Sequence, residues 1–172
     1  MSTTLRQIAE RWFPGGGEGR LSRIVNILVS AAEHPAPTIG SRVACTTTTA
    51  ITATTDADIT GATVTVTPEV DGCLLVWATF EPVCSLLGSV TDAFSGALVV
   101  NGTAQAGRVE TTARSADDAR CITGSWIVPV SSGTSYTVKL QAKTSNVGTT
   151  FNVLQVNTWF TYLQVPSLFR VP

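Results

Sequence analysis

Few side chains in this sequence are placed to catalyse a reaction. The only histidine, His34, has no serine or cysteine beside it that it could activate as a nucleophile. The paired carboxylates are Asp56 with Asp58 and Asp117 with Asp118. Asp56 and Asp58 either contribute to a calcium site or are solvated loop charges, and two carboxylates alone favour the second interpretation. The pattern predicts no catalytic residue, no metal ligand and no cofactor, so we do not expect an enzyme.

Charge and hydropathy also argue against nucleic-acid and membrane partners. Lys and Arg total 11 against 12 Asp and Glu, a net charge of −1, so the chain has no basic footprint for nucleic acid. The glycines of Gly15–Gly17 lack the lysine and Ser/Thr of a phosphate-binding loop. The longest apolar run, Leu21–Ala32, is interrupted by Arg23 and Asn26 and is too short to span a bilayer. Its polar face also has too few basic residues for binding at a membrane surface.

The four cysteines show no metal-binding or redox spacing. They are Cys45, Cys73, Cys84 and Cys121, without a Cys-x-x-Cys pair or a Cys/His cluster. Buried, reduced thiols on strands are the favoured interpretation. A disulfide is the alternative, and Cys73 with Cys84 is the pair to test.

The elements that must position these residues are mainly β-strands. Only 13% of residues are charged, and roughly one residue in six is threonine, which favours strands. Thr63–Thr67 alternates Thr and Val, as expected of a strand with one exposed face. Asn101-Gly102 between two apolar runs predicts a hairpin. From residue 38 to 172 we predict an antiparallel jelly-roll sandwich of about 8–10 strands.

Residues 1–37 differ from the rest and predict two short α-helices and a Pro-rich linker. Apolar residues recur at helical spacing in both helices. The residues of this N-terminal arm predicted to contact a partner are Leu5, Ile8, Trp12, Leu21, Ile24, Val25 and Leu28. The helices either pack on their own β domain, anchor the protein to a partner, or form a short three-chain bundle. Gly15–Gly17 and the linker favour a separable arm.

Two predicted strands are apolar on both faces. In Cys73–Phe80, Leu75 and Trp77 alternate with Leu74 and Val76, and Phe151–Val165 behaves in the same way. A sandwich strand needs only one apolar face, and an exposed second apolar face is rare in soluble monomers. The second face is therefore covered either by the N-terminal helices or by neighbouring subunits, and we expect an oligomer.

Four stretches are similar to elements of the C1q/tumour-necrosis-factor family of jelly-roll heads. Val70–Ala78 resembles its turn–Gly–strand element, Leu98–Gly102 its central hairpin, Val130–Val138 a later turn and strand, and Trp159–Leu163 its C-terminal inner strand. Such heads also occur in decoration, head-fibre and tail-fibre proteins of tailed phages. The chain lacks a collagen stalk, and Cys73 stands where an aromatic residue is usual, which favours a phage virion protein over a secreted animal one.

The resemblance implies a homotrimer and a structural function. The residues predicted to form the trimer interface are Leu74, Val76, Phe80, Phe160 and Tyr162. The expected function is that of a capsid-decoration or head-fibre subunit, assembled in the bacterial cytoplasm. Its arm would anchor it to the major capsid protein or another virion protein on the capsid surface.

Two other functions remain open at this point. One is a tail-fibre tip that recognises a host glycan or protein, which would place exposed aromatic residues in Pro82–Phe94, Arg114–Asp118 or Lys143–Thr150. Only Phe94 occurs there, which favours decoration. The other is a secreted ligand of the C1q/TNF kind, for which the sequence shows no signal peptide or stalk.

Overall fold

The computed structural model describes residues 38–167, which contain strands and no helix. The strands are β1 (Thr38–Ile39), β2 (Val43–Ala44), β3 (Thr49–Ile51), β4 (Ala57–Val66), β5 (Gly72–Phe80), β6 (Pro82–Leu86), β7 (Asp92–Val100), β8 (Thr103–Ala104), β9 (Val109–Ala113), β10 (Ile122–Val130), β11 (Tyr136–Thr144), β12 (Thr150–Val153) and β13 (Trp159–Pro166). The predicted helices, the linker and the domain boundary after residue 37 lie outside these residues. Across this range, no helix is long and apolar enough to cross a membrane.

The strands form two five-stranded antiparallel sheets and one small sheet. The front sheet has the order β1–β13–β5–β10, with β2 also paired to β13. The back sheet has the order β4–β11–β7–β8, with β9 also paired to β7. The cap sheet has the order β3–β12–β6. Successive long strands alternate between the two large sheets, which is the connectivity of a jelly roll and confirms the predicted mainly β, antiparallel fold.

The number of strands differs from the prediction because three very short segments were not foreseen as separate strands. β1, β2 and β8 have two residues each. Such segments carry too few residues for an alternating pattern to be visible in the sequence. The predicted Asn101-Gly102 hairpin is confirmed, since both residues have positive φ (49° and 80°) and the turn joins β7 to β8.

Three phenylalanines connect the three sheets through the core. Phe80 of the front sheet packs edge-on against Phe94 of the back sheet, with ring centroids 6.0 Å apart. Phe94 contacts Phe151 of the cap sheet in the same manner at 5.7 Å. All three rings are buried. Gly96 leaves room for this arrangement, because a Cβ there would lie 2.9 Å from the Phe80 ring.

The sandwich has two distinct ends. The terminal pole holds the 67–71 and 131–135 turns, and the described chain also begins and ends there, since Thr38 pairs with Gln164 and the Ser167 N–H donates to the Asp71 carbonyl. The loop pole lies at the opposite end of β5, about 30 Å away for nine extended residues. It holds the cap sheet, the charged 114–120 loop beside β6, and two further loops, named here the first tip loop (residues 87–91) and the second tip loop (residues 145–149).

A buried carboxylate ties the two tip loops together. Asp92 has no exposed surface, and its Oδ2 accepts hydrogen bonds from the Gly88 N–H (2.7 Å), the Ser89 N–H (3.0 Å) and the Thr149 hydroxyl (2.7 Å). Its Oδ1 accepts from the Ser89 hydroxyl (3.0 Å) and the Asn146 amide. Burial alone would raise the pKa of Asp92. The hydrogen bonds from Thr149, Asn146 and the loop backbone outweigh burial and hold that pKa well below its usual range.

We expect Asp92→Asn to lower the free energy of unfolding by about 2–4 kcal/mol, because an amide cannot accept all of these hydrogen bonds at once. Urea denaturation followed by tryptophan fluorescence measures the change. Asp58→Asn is the matched control: Asp58 forms an exposed ion pair with Lys139, so its loss costs less than about 1 kcal/mol. Equal effects of the two substitutions would contradict the assigned role of Asp92.

The pH dependence of unfolding is a second, independent test of the role of the Asp92 carboxylate. A carboxyl with a lowered pKa in the folded state stabilises the protein above its unfolded pKa, and that stabilisation disappears as pH falls towards the folded value. The stability difference between wild type and Asp92→Asn is therefore full at neutral pH and shrinks below about pH 4. A difference that does not vary with pH would show that the Asp92 charge is not responsible.

Candidate interaction surface

Three of the four carboxylates singled out from the sequence, all except Asp117, form ion pairs. Asp56 pairs with Arg108 at 2.6 Å, and Asp118 pairs with Arg120 at 2.9 Å. The hydrogen bond from Arg108 lowers the pKa of Asp56. Within residues 38–167, no group of three or more His, Cys, Asp and Glu side chains could hold a metal ion. For Asp56, the ion pair supports the interpretation as a loop charge rather than as a calcium ligand.

All four cysteines are free thiols. Cys73 lies on the outer face of β5 near the terminal pole, whereas Cys84 lies in β6 at the loop pole. The length of β5 separates the two, so the Cys73–Cys84 disulfide that the sequence left open does not form. Cys45 and Cys84 are buried, and burial raises the pKa of the Cys84 thiol. Cys121 is exposed, and Cys73 is half-buried.

The outer face of the front sheet is the most unusual surface of the described chain. Side chains alternate along each strand, so residues between core positions point away from the back sheet. On this sheet they are largely apolar, and Trp77 is 43% exposed and Ile127 70% exposed. The apolar residues of this outer front face are Cys73, Leu75, Trp77, Ile127, Pro129, Trp159, Leu163 and Val165.

Strand register arranges this surface into two halves. Near the terminal pole, Val165, Cys73 and Pro129 lie side by side on β13, β5 and β10. The next row is Leu163, Leu75 and Ile127, so two consecutive rows are entirely apolar. Towards the loop pole, the rows mix tryptophans with hydroxyl residues. They are Thr161–Trp77–Ser125 and Trp159–Thr79–Thr123, with the Arg42 guanidinium 4.8 Å from the Trp159 ring centroid.

The back sheet has an ordinary polar outer face. Thr63 and Thr65 are exposed on β4, and Thr67 is exposed directly after its end, as predicted. Beside them on β11, Lys139 donates to Asp58 at 2.9 Å. The outer face of the back sheet is therefore polar and solvated. Of the two large sheets, only the front sheet has a largely apolar outer face.

The residues predicted to form the trimer interface lie on the other side of the front sheet. Leu74, Val76, Phe80 and Phe160 have no exposed surface, because the back sheet covers them. Tyr162 is half-buried, packs on the same core, and has its ring against Gly40. Side chains without exposed surface cannot contact a second subunit, so the prediction for these four residues is wrong. Their strand neighbours occupy the exposed face instead.

The arm residues predicted to contact a partner lie outside the described range. Leu5, Ile8, Trp12, Leu21, Ile24, Val25 and Leu28 all precede residue 38. Their role stays a prediction from the helical spacing.

Comparison with known proteins gives structural likenesses only. No protein-family model and no curated protein matches the chain. Among solved structures, the chain is similar to Eiger TNF from S. frugiperda, with 10% identity, a TM-score of 0.46, and coverage of 80% of this chain and 98% of that one. It is similar to murine APRIL with 8% identity, a TM-score of 0.47, and coverage of 76% and 100%. It is also similar to 12% of latent PorU from Porphyromonas gingivalis, over 74% of this chain, with 13% identity and a TM-score of 0.45.

If the outer front face mediates self-association, Ile127→Asp separates the subunits, because a carboxylate within an apolar contact loses its water without gaining a partner. Sedimentation velocity should show a multiple of 18.0 kDa for the wild type and a single chain for the variant. Thr65→Asp is the matched control, since Thr65 is an exposed strand residue on the back sheet. A monomeric wild type at micromolar concentration would contradict this role of the surface.

Thiol reactivity tests the same surface by a second measurement. With an aromatic disulfide reagent, we expect one rapid thiol in the native wild type, the exposed Cys121, and four after denaturation. If the outer front face mediates self-association, Cys73 becomes a second rapid thiol in Ile127→Asp, because a neighbouring subunit would then no longer cover it. Equal rates at Cys73 in both proteins would show that this part of the face is not in contact.

Proposed function

We propose that this protein is a non-enzymatic virion structural protein, a capsid-decoration or head-fibre subunit whose jelly-roll head is a homotrimer anchored by its N-terminal arm. The observation that carries the proposal is the apolar outer front face, which exists on one sheet only. A protein whose sandwich has its own core needs no second apolar face for folding. Such a face supports assembly as the function of the molecule.

Other copies of the chain are the best cover for this face. The face spans β13, β5 and β10, and β1 and β2 both pair with the outer edge of β13. It is therefore roughly 15 Å across at a strand spacing near 4.8 Å. A single arm helix about 10 Å wide would leave part of it in water, and the proposal uses both arm helices for anchoring. A second copy presents a surface of the same kind, apolar and with few charges. Three copies agree with the resemblance to C1q/TNF-like heads.

The polar groups of the described chain support a structural role. Asp56, Asp58 and Asp118 each form an ion pair with an arginine or lysine side chain of the same chain. The Asp92 carboxylate accepts hydrogen bonds from both tip loops. These carboxylates are therefore occupied with holding strands and loops in place, which favours a mechanical function over catalysis.

A trimer with three arms suits attachment to a particle. Each arm contributes a separate contact, and linked contacts bind far more tightly together than singly. The described chain begins at the terminal pole, where β1 pairs with β13, so the three arms would leave the trimer from one end. The major capsid protein, or another virion protein on the capsid surface, is the proposed partner. Assembly would take place in the bacterial cytoplasm.

If the arm anchors the protein, Leu21→Asp with Leu28→Asp reduces binding to capsids at least tenfold, since each substitution removes a leucine from the apolar stripe. Co-sedimentation with capsids assembled without this chain measures the binding. Asn26→Asp with Ser30→Asp is the control, because it adds the same charge to the opposite side of the stripe. Unchanged binding of the leucine variant would contradict anchoring, and loss of the trimer in that variant would make the helices an assembly element.

A further inference from the structure

Arg42 is an exposed cation beside the outer front face that has no anion next to it in the described chain. Its guanidinium lies 4.8 Å from the Trp159 ring centroid, and its Nη2 donates to the Val156 carbonyl oxygen at 3.5 Å. None of the three ion pairs among residues 38–167 includes Arg42. Stacking on the indole therefore holds the guanidinium on this face, with N–H groups available to a partner.

Covering the outer front face makes Arg42 require an acceptor. The proposed function covers this face with another copy of the chain, and that contact removes water from the guanidinium. A buried cation without an acceptor strongly opposes association. The planar fork of guanidinium N–H groups matches the two oxygens of a carboxylate. A stable contact therefore needs a carboxylate of the neighbouring copy beside Arg42.

Two carboxylates of the described chain are available for this contact. Glu69 and Asp117 are exposed, and neither side chain has a cation or a hydrogen-bond donor beside it within residues 38–167. The other described carboxylates are held by ion pairs or hydrogen bonds within the chain: Asp56, Asp58, Asp71, Glu81, Asp92, Glu110 and Asp118. The acceptor for Arg42 is therefore sought between Glu69 and Asp117.

Position along the head favours Asp117 over Glu69. The Arg42 guanidinium is at the row of Trp159, in the half of the outer front face nearer the loop pole. Asp117 is at the loop pole, where its N–H donates to the Cys84 carbonyl at 2.7 Å. Nearly the whole length of β5 separates the Trp159 row from the turn that holds Glu69. A threefold axis along the head keeps each residue at one height in all subunits, so Asp117 is the nearer carboxylate.

Arg42 and Asp117 also lie at opposite edges of the front sheet. Arg42 directly precedes β2, which pairs with β13 at one edge of the sheet. The 114–120 loop leads into β10, which forms the other edge. Subunits of a closed ring contact each other through different surfaces, so that one edge of a subunit meets the opposite edge of the next. This arrangement brings the two side chains towards each other across a subunit boundary.

We propose that Arg42 of each subunit forms an ion pair with Asp117 of the next subunit, so that three such pairs fix which edges of the heads meet. This inference rests on the proposed function, because it requires the homotrimer. The apolar rows nearer the terminal pole provide the buried area of the contact. The ion pair provides its register, since complementary charges discriminate between arrangements more than they add affinity.

Charge reversal tests the pair by sedimentation velocity of the full-length protein. We expect Arg42→Glu and Asp117→Asn each to raise the dissociation constant of the trimer at least about tenfold, because the remaining charge loses its partner. Asparagine also tolerates the left-handed φ of 66° at position 117. Arg42→Glu with Asp117→Arg restores association, since the pair forms again with the charges exchanged. Glu69→Arg is the matched control: it leaves association unchanged alone and does not rescue Arg42→Glu.

The outcomes separate failure of the pair from failure of the trimer. Urea denaturation establishes that each variant folds, which is expected because Arg42 and Asp117 are both exposed. A wild type that sediments as a single chain would overturn the proposed function and the pair together. A trimeric wild type whose association is unaffected by Arg42→Glu, or a rescue by Glu69→Arg in place of Asp117→Arg, would overturn the pair alone.

Discussion

The front sheet has two apolar faces, and the rest of the structure depends on how each of them is covered. The inner face packs on the back sheet and forms the core, with Leu74, Val76 and Phe160 fully buried. The outer face repeats the same chemistry with Leu75 and Ile127 but has no cover within residues 38–167. Because exposed apolar area is costly, this face supports the proposal that the molecule is one part of a larger assembly.

The remaining elements make the head rigid enough for that assembly. Phe80, Phe94 and Phe151 connect the three sheets through edge-to-face contacts. Asp92 connects the tip loops through hydrogen bonds from both of them. Hydrophobic packing thus fixes the sandwich, and a buried charge with full hydrogen bonding fixes its loop pole.

Three surfaces of the head then differ in chemistry. The back sheet exposes threonines and ion pairs and is suited to water. The outer front face is apolar and broad and is suited to another copy of the chain. At the loop pole, the uncharged tip loops lie at the same end as the 114–120 loop, which carries four charged residues. The low charge of the sequence agrees with this division, since the outer front face is largely apolar.

The sequence by itself determined the fold class, the alternating back-sheet strands, the Asn101-Gly102 hairpin and the presence of doubly apolar strands, because these are local patterns of two to ten residues. It could not determine which apolar face of β5 points inward. Alternation has a period of two and looks the same from either side, so Leu74 and Leu75 are equivalent until another sheet packs on one of them. The tertiary structure decided this, and it also brought Asp92 to Asn146 and Thr149 across more than fifty residues. Contacts at such separations leave no periodic signal, so the exposed face and the loop pole became visible only in the folded chain.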